Sequence, residues 1–418
     1  MTTNKLKNGY CPMYDVEKIR ADFPILNQKI NGKRNTFLDT AASAQKPQSV
    51  IDTMIDMYTK TYANVHRGSY YLSEKATEAY ENARSIVKNF INAKSEKEIV
   101  FTRSATEGMN LVAASWGMNN LGKGDEVLLS EAEHHGNLVP WQNTCEKTGA
   151  VLRFFKVNDD GSFDIENFYK LLNPKVKMVA VTGMSNILGT VFPIKEIANA
   201  AHLAGALCMV DACQSIVHTK TDVQDIGCDF MAFSGHKLYG PSGIGGLYGR
   251  YELLSQMPPY QFGGDMIENV TYEKTTFTTP PARFEAGTPA IVQAVGFGAA
   301  LQYLQALGME NVKAHEEELI EYTNKRLSEI PELKIVGTAP DKGGVFSFAL
   351  GNIHPQDVAF IMDKEGVSIR TGHHCAQPIV NRMGYSSLAR ASLGLYTNFE
   401  DIDCFVNALK KARTFFDR

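Results

Sequence analysis

The chain reads as an α/β protein built on a mainly parallel sheet of seven strands with helices on both faces, plus a smaller α/β domain. Two observations predict this. Between about residues 98 and 249, short apolar runs alternate with helix-length segments, the pattern of repeated βαβ units. After Pro331 a second, shorter set of strand and helix patterns follows two long helical stretches. With 418 residues, the chain is long enough for one large and one small core.

The expected strands of the large sheet are Glu98–Thr102, Glu126–Ser130, Val151–Phe155, Val176–Thr182, Ala206–Val210, Phe230–Phe233 and Gly245–Tyr248. Helical segments such as Thr106–Trp116 and Ile194–Leu203 lie between them. Ligands of such sheets bind at the carboxyl ends of the strands. The Gly-, Thr- and Pro-rich stretch Gly263–Pro281 reads as an irregular excursion. Long helices are expected over Pro289–Leu307 and Met309–Ile330, then strands at Leu333–Val336, Val345–Ala349 and Val367–Arg370. In the last helix Ile402, Phe405, Val406 and Leu409 share one face. We expect a large domain over 31–300 and a small one made of 1–30 and 301–418.

Composition is that of an ordinary soluble protein, 44% hydrophobic and 21% charged. A net charge of -4 gives no footprint for nucleic acid or anionic membrane, and no window reaches the length of a membrane span. Seven scattered cysteines without a C-x-x-C pair fit reduced thiols and a cytoplasmic location. Gly117 to Gly124 nearly spells a phosphate loop, but Gly124 stands where Ser or Thr should be and the strand–helix order is reversed. The adjacent pairs His134-His135 and His373-His374 lack metal-site spacing, so no metal is expected.

One stretch carries chemistry: Phe233-Ser234-Gly235-His236-Lys237-Leu238-Tyr239-Gly240-Pro241. A strand end, a tight turn and a lysine are how a pyridoxal phosphate enzyme presents its Schiff-base amine. Asp211 ends an apolar run, where a carboxylate needs a partner, and a pyridinium nitrogen is such a partner. Thr106 opens a helix after a strand and so offers a phosphate site, to which Ser234 and His236 can add donors. His134 follows a strand directly and can stack on a planar cofactor and shuttle protons near neutral pH. Gln214 lies three residues past Asp211, within reach of the cofactor's phenolic oxygen. Cys375, flanked by His374 and near Arg370, reads as a nucleophile in a basic setting that favours thiolate.

The run Arg370-Thr371-Gly372-His373-His374-Cys375-Ala376-Gln377-Pro378 resembles the signature of type II cysteine desulfurases, the SufS-like branch of the class V, fold-type I pyridoxal phosphate enzymes. Leu38-Asp39-Thr40-Ala41-Ala42-Ser43-Ala44-Gln45-Lys46-Pro47, Asn64-Val65-His66-Arg67-Gly68 and Glu133-His134-His135-Gly136-Asn137 also match, as do Ser185–Thr190, Arg283–Pro289 and Arg390–Leu393. The lysine motif alone indicates only the wider class V group; the His-His-Cys run narrows it.

The resemblance implies the following roles. Lys237 links to the cofactor and moves the substrate α-proton, while Asp211, His134 and Gln214 hold the ring. Thr106, Ser234 and His236 hold the phosphate, with Thr288 completing it from a second subunit of a homodimer. Arg390 clamps the substrate carboxylate with Asn186 assisting, Arg370 orients the cysteine loop, and His66 and Arg67 reach in from the neighbouring subunit. The implied reaction converts L-cysteine to L-alanine, leaves a persulfide on Cys375, and passes the sulfur to an acceptor for iron–sulfur cluster assembly. Selenocysteine lysis, ordinary transamination and a non-enzymatic sulfur-transfer scaffold are the rivals. Relatives with a zinc-dependent SufU-like acceptor carry a second histidine where this chain reads His354-Pro355-Gln356-Asp357, which favours a SufE-like acceptor. The first 15 or so residues match nothing, and Cys11 there reads as a bystander.

Overall fold

The computed structural model describes residues 14–416, so Cys11 lies outside the described residues. The large sheet comprises β1 (Ile99–Thr102), β2 (Glu126–Ser130), β3 (Val151–Phe155), β4 (Val176–Thr182), β5 (Leu207–Asp211), β6 (Phe230–Ser234) and β7 (Gly245–Gly249). Their order across the sheet is β1-β7-β6-β5-β4-β2-β3. All neighbours are parallel except β7, which runs antiparallel to both β1 and β6. Strands β1, β2, β6 and β7 are buried at every residue, as a sheet covered on both faces requires. The edge strand β3 is only partly buried. One core, including Leu128, Val179, Val210, Phe233 and Phe297, packs on one face; a second, including Val127, Met178, Met209 and Trp141, packs on the other. This alternation along single strands follows from the two-residue pleat.

The small sheet comprises β8 (Leu333–Val336), β9 (Val345–Leu350), β10 (Arg370–Gly372) and β11 (Leu388–Ser392), in the order β8-β9-β11-β10, all antiparallel. Its core joins Phe346, Phe348, Ala389 and Ala391 to Ile402, Phe405, Val406 and Leu409 of the helix Phe399–Phe416. Gly308, at φ 80°, separates the long helices Ile291–Leu307 and Met309–Leu327.

Four details differ from the sequence expectation. Strand Val367–Arg370 is two pieces: Val367–Ser368 pairs in parallel with Thr36–Phe37, and the chain then joins the small sheet as β10. Strand β11 was not anticipated, because Leu-Ala-Arg-Ala-Ser lacks the β-branched and aromatic residues that mark strands. Thr106–Trp116 begins as an α-helix, Ala105–Leu111, and continues as a π-helical stretch, Val112–Gly117. The excursion at 263–281 holds a hairpin of Ile267–Val270 with Thr275–Phe277. Among the described residues, no helix is long and apolar enough to cross a membrane.

Candidate active site

The carboxyl ends of β4, β5 and β6 and the N-terminus of the helix after β1 surround a cavity of about 300 Å³. Thr106, His134, Asn186, Asp211, Gln214, Ser234, His236, Lys237, Arg370, Cys375 and Arg390 all line it. Residues spread over almost three hundred positions thus meet where an open parallel sheet places its ligands.

Lys237 ends a short 3₁₀ turn, Gly235–Lys237, that follows β6 without a break. Gly235 is needed there because a Cβ would come within 2.9 Å of Ile244. Among the described residues, no hydrogen bond or ion pair holds the half-buried Lys237 amine, which leaves it free for a covalent partner. Asp211 is buried at the end of β5, and its Oδ1 accepts the Cys213 N–H at 3.0 Å. Gln214 donates to the Ala41 carbonyl at 2.8 Å. Ser234 Oγ accepts the Ala105 N–H at 2.9 Å, tying β6 to the start of the helix that carries Thr106.

His134 caps the helix His135–Thr148, with its Nδ1 accepting the Gly136 N–H at 2.9 Å. The ring proton therefore sits on Nε2. Burial, then the nearby Lys237 charge, pushes its pKa down to about 4, so the imidazole is neutral at physiological pH. The expected proton shuttling near neutral pH is thereby corrected: His134 presents a fixed N–H donor. His236 is likewise held down to about 4 by burial, then by Lys237 and Lys46.

Arg390, in the middle of β11, is 2% exposed. Its Nη1 donates to the Asn186 carbonyl at 3.0 Å, its Nη2 reaches Asp39 at 3.4 Å, and its Nε has no partner. Burial pulls this guanidinium down to about 10, yet it stays charged. A buried cation whose Nε lacks a partner and whose Nη2 has only a loose 3.4 Å contact is suited to a second carboxylate. Arg370 grips Asp39 through Nε and Nη2, at 3.1 and 3.0 Å.

Cys375 is exposed on a loop in which it and His374 both have left-handed backbone, φ 55° and 52°. Non-glycine residues hold that conformation only where the surroundings impose it. Four bonds do so here. The His135 N–H donates to the Cys375 carbonyl at 2.7 Å, Asn186 Nδ2 to the His374 carbonyl at 2.8 Å, the Gln377 N–H to His135 Nε2 at 3.1 Å, and His374 Nε2 to the Leu388 carbonyl at 2.9 Å. The last bond corrects the view of His374 as a source of positive charge. Its ring is turned to Leu388, and burial, then Arg390, lowers its pKa to about 4. The cations that share the cavity with Cys375 are Lys237, Arg370 and Arg390.

The free Lys237 amine, the buried Asp211 carboxylate and the donor-rich helix end fit pyridoxal 5'-phosphate. The match to known proteins decides the family: the aminotransferase class-V model covers residues 36–405. The chain belongs to the class-V aminotransferases. Within them its relatives are desulfurases. It is 50% identical over 401 residues to a probable cysteine desulfurase of Synechocystis, spanning 95% of this chain and 96% of that one. It is 46% identical over 416 residues to a cysteine desulfurase of Haloferax volcanii, spanning 96% and 98%. The apo structure of a cysteine desulfurase from Thermococcus onnurineus superposes with a TM-score of 0.91 at 37% identity, covering 96% of this chain and 98% of that one. The cofactor of this class-V enzyme is pyridoxal 5'-phosphate.

Three expected site residues lie elsewhere in the class-V protomer. Thr288 lines a separate cleft with Tyr260 and Glu285. His66 pairs with Glu81 at 2.9 Å, and Arg67 with Asp265 at 3.1 Å. Two residues were missed as functional. Asp39 links both arginines, and Glu133, fully buried behind His134, accepts from Ser130, from Asn137 Nδ2 at 2.7 Å and from the Thr182 N–H at 3.0 Å. Both stood inside quoted motifs, but a carboxylate's partners are set by the fold and leave no local signal.

Proposed function

We infer that the protein is a cysteine desulfurase that converts L-cysteine to L-alanine and receives the sulfur on Cys375 as a persulfide. The observation that carries this is the single cavity shared by Lys237, Asp211, Arg390 and an exposed cysteine on a pinned loop. Asp211, His134 and Gln214 would hold the ring of the cofactor, and Thr106, Ser234 and His236 its phosphate. When bound, pyridoxal 5'-phosphate supplies an electrophilic aldehyde and a sink for the electrons released at the substrate α-carbon.

The protein's own groups do the rest. Arg390 takes the substrate carboxylate on its Nε–Nη2 edge, where Nε lacks a partner and the Asp39 contact is loose, with Asn186 beside it, and so orients the α-carbon. Lys237 Nζ takes the α-proton and can return it. Neutral His134 offers its Nε2–H as a donor without adding a charge. The Cys375 thiolate then bonds to the substrate sulfur as the Cβ–Sγ bond breaks. The electron pair stays with carbon, which gains a proton and leaves as alanine.

The sulfur is proposed to pass to an acceptor protein for iron–sulfur cluster assembly. Exposure of Cys375 supports docking of such a partner. Exposed Gln356, at the first turn of helix Pro355–Lys364, replaces a potential imidazole ligand and favours a SufE-like over a zinc-dependent acceptor. A homodimer is proposed as the arrangement that brings Thr288, His66 and Arg67 to the site of a second copy. The exposed tyrosines 58, 62, 70 and 71 support an interface on that side. The six described cysteines are free, which suits a reducing cytoplasm.

The test is alanine and sulfide release from L-cysteine with a reductant, wild type beside Cys375→Ser. Activity in wild type and near-loss in the variant, with the bound-cofactor absorption unchanged, is expected. Equal activity in both would remove Cys375 as the nucleophile. Activity in neither, with cofactor bound, would turn the assignment to selenocysteine or to transamination.

A further inference from the structure

Arg370 on β10 and Arg390 on β11 are directly paired across the strands. Side chains so placed share one face of the sheet, and like charges there repel. Asp39 is the counter-ion to both. It is held through the backbone, where Leu38 N–H bonds to the Ser368 carbonyl at 2.9 Å and Asp39 bridges to Ser392. Its carboxylate takes three contacts from Arg370, at 3.0 to 3.2 Å, and one looser contact from Arg390, at 3.4 Å. The group thus holds two cations and one carboxylate, with the surplus charge on the buried arginine whose Nε is itself buried and without a partner. Strand β10 runs from Arg370 through Gly372, at φ 119°, into the His373-His374-Cys375 loop.

We propose that Asp39 is a positioning residue that couples substrate arrival to the setting of Cys375. An incoming α-carboxylate takes the Nε–Nη2 edge of Arg390 and displaces the loose Asp39 contact. Asp39 then belongs wholly to Arg370, which completes two forked pairs and fixes the strand that feeds the cysteine loop. Two consequences have opposite signs. Asp39 competes for Arg390 and repels the substrate carboxylate, so it weakens substrate binding. It also anchors Arg370, so it speeds sulfur transfer to Cys375. The inference rests on the assignment of Arg390 to the substrate carboxylate and of Cys375 to the sulfur.

The test uses cofactor-loaded Asp39→Asn, Asp39→Glu and wild type. L-alanine affinity is read from the bound-cofactor absorption. Single-turnover persulfide on Cys375 at saturating L-cysteine is read by mass spectrometry. Asp39→Asn is expected to bind L-alanine about fivefold more tightly while forming persulfide about tenfold more slowly, at the lower end of the usual coupling between sites. Asp39→Glu is expected to restore most of the persulfide rate. A proportional loss of both properties in Asp39→Asn, as a loosened site gives, would overturn the proposal, as would an unchanged persulfide rate. Absence of any Cys375 persulfide in wild type would overturn the desulfurase assignment, and this coupling with it.

Discussion

Replacing Arg390 by methionine separates a residue kept for function from one kept for stability. The guanidinium is 2% exposed and makes one good protein hydrogen bond, to the Asn186 carbonyl at 3.0 Å. Its pKa falls from 12.5 to about 10, chiefly through burial. That drop corresponds to about 3 kcal/mol against the charged form in the fold, and the full cost applies at pH 7, below the folded pKa. Methionine of similar length removes the cost but leaves the buried Asn186 carbonyl without this donor, a loss of about 1–3 kcal/mol. Asp39 is not orphaned, because Arg370 still holds it bidentately. The cofactor-free variant should therefore be as stable as wild type or more so, by up to about 2 kcal/mol, in line with replacements of other buried ionic groups. Catalysis should move the other way. A carboxylate on the Nε–Nη2 edge, taking the place of the loose Asp39 contact, would gain two charge-assisted hydrogen bonds of about 1.5–3 kcal/mol each, so kcat/KM for L-cysteine should fall roughly 100- to 10,000-fold. Urea unfolding of the cofactor-free protein and steady-state desulfuration of the loaded protein measure the two effects. A variant that is clearly destabilised while its KM is unchanged would refute the reasoning.

Two further expectations concern buried ionisable groups beside the site. Burial lifts the Glu133 pKa from 4.5 to about 7, so the native state keeps a proton that the unfolded chain has lost. Stability from this group is complete below about pH 4.5 and is lost as pH rises to about 7, at a cost of about 3 kcal/mol above that. Glu133→Gln should match wild type near pH 4.5 and exceed it at pH 8 by a few kcal/mol. The unpartnered Asn137 Oδ1 can turn to accept from the new amide. Equal urea midpoints at pH 8 would contradict this. For His134, ¹⁵N spectra should show a neutral ring protonated on Nε2 down to about pH 5, because its pKa is near 4 and Nδ1 accepts from Gly136. An imidazolium signal above pH 6 would rule that out.

Sequence by itself determined the strand–helix alternation and the position of Lys237 after β6. It also put Asp211 at a strand end and Cys375 in a polar loop. These are legible because burial periodicity and turn chemistry act between near neighbours. Strands β2, β3 and β4 matched residue for residue, since each is a short apolar-rich run bounded by Gly, Asp, Asn or Pro turn residues. Tertiary structure alone decided the rest. Strand β11 exists because β9 and β10 pair with it on both sides, and its own residues argue weakly for a strand. Asp39 became the shared partner of two arginines more than three hundred residues away. His134 and His374 became neutral because burial removes the water that would solvate their charge. Charge state and partnership depend on what surrounds a group in space, and distant segments supply those surroundings only once the chain has folded.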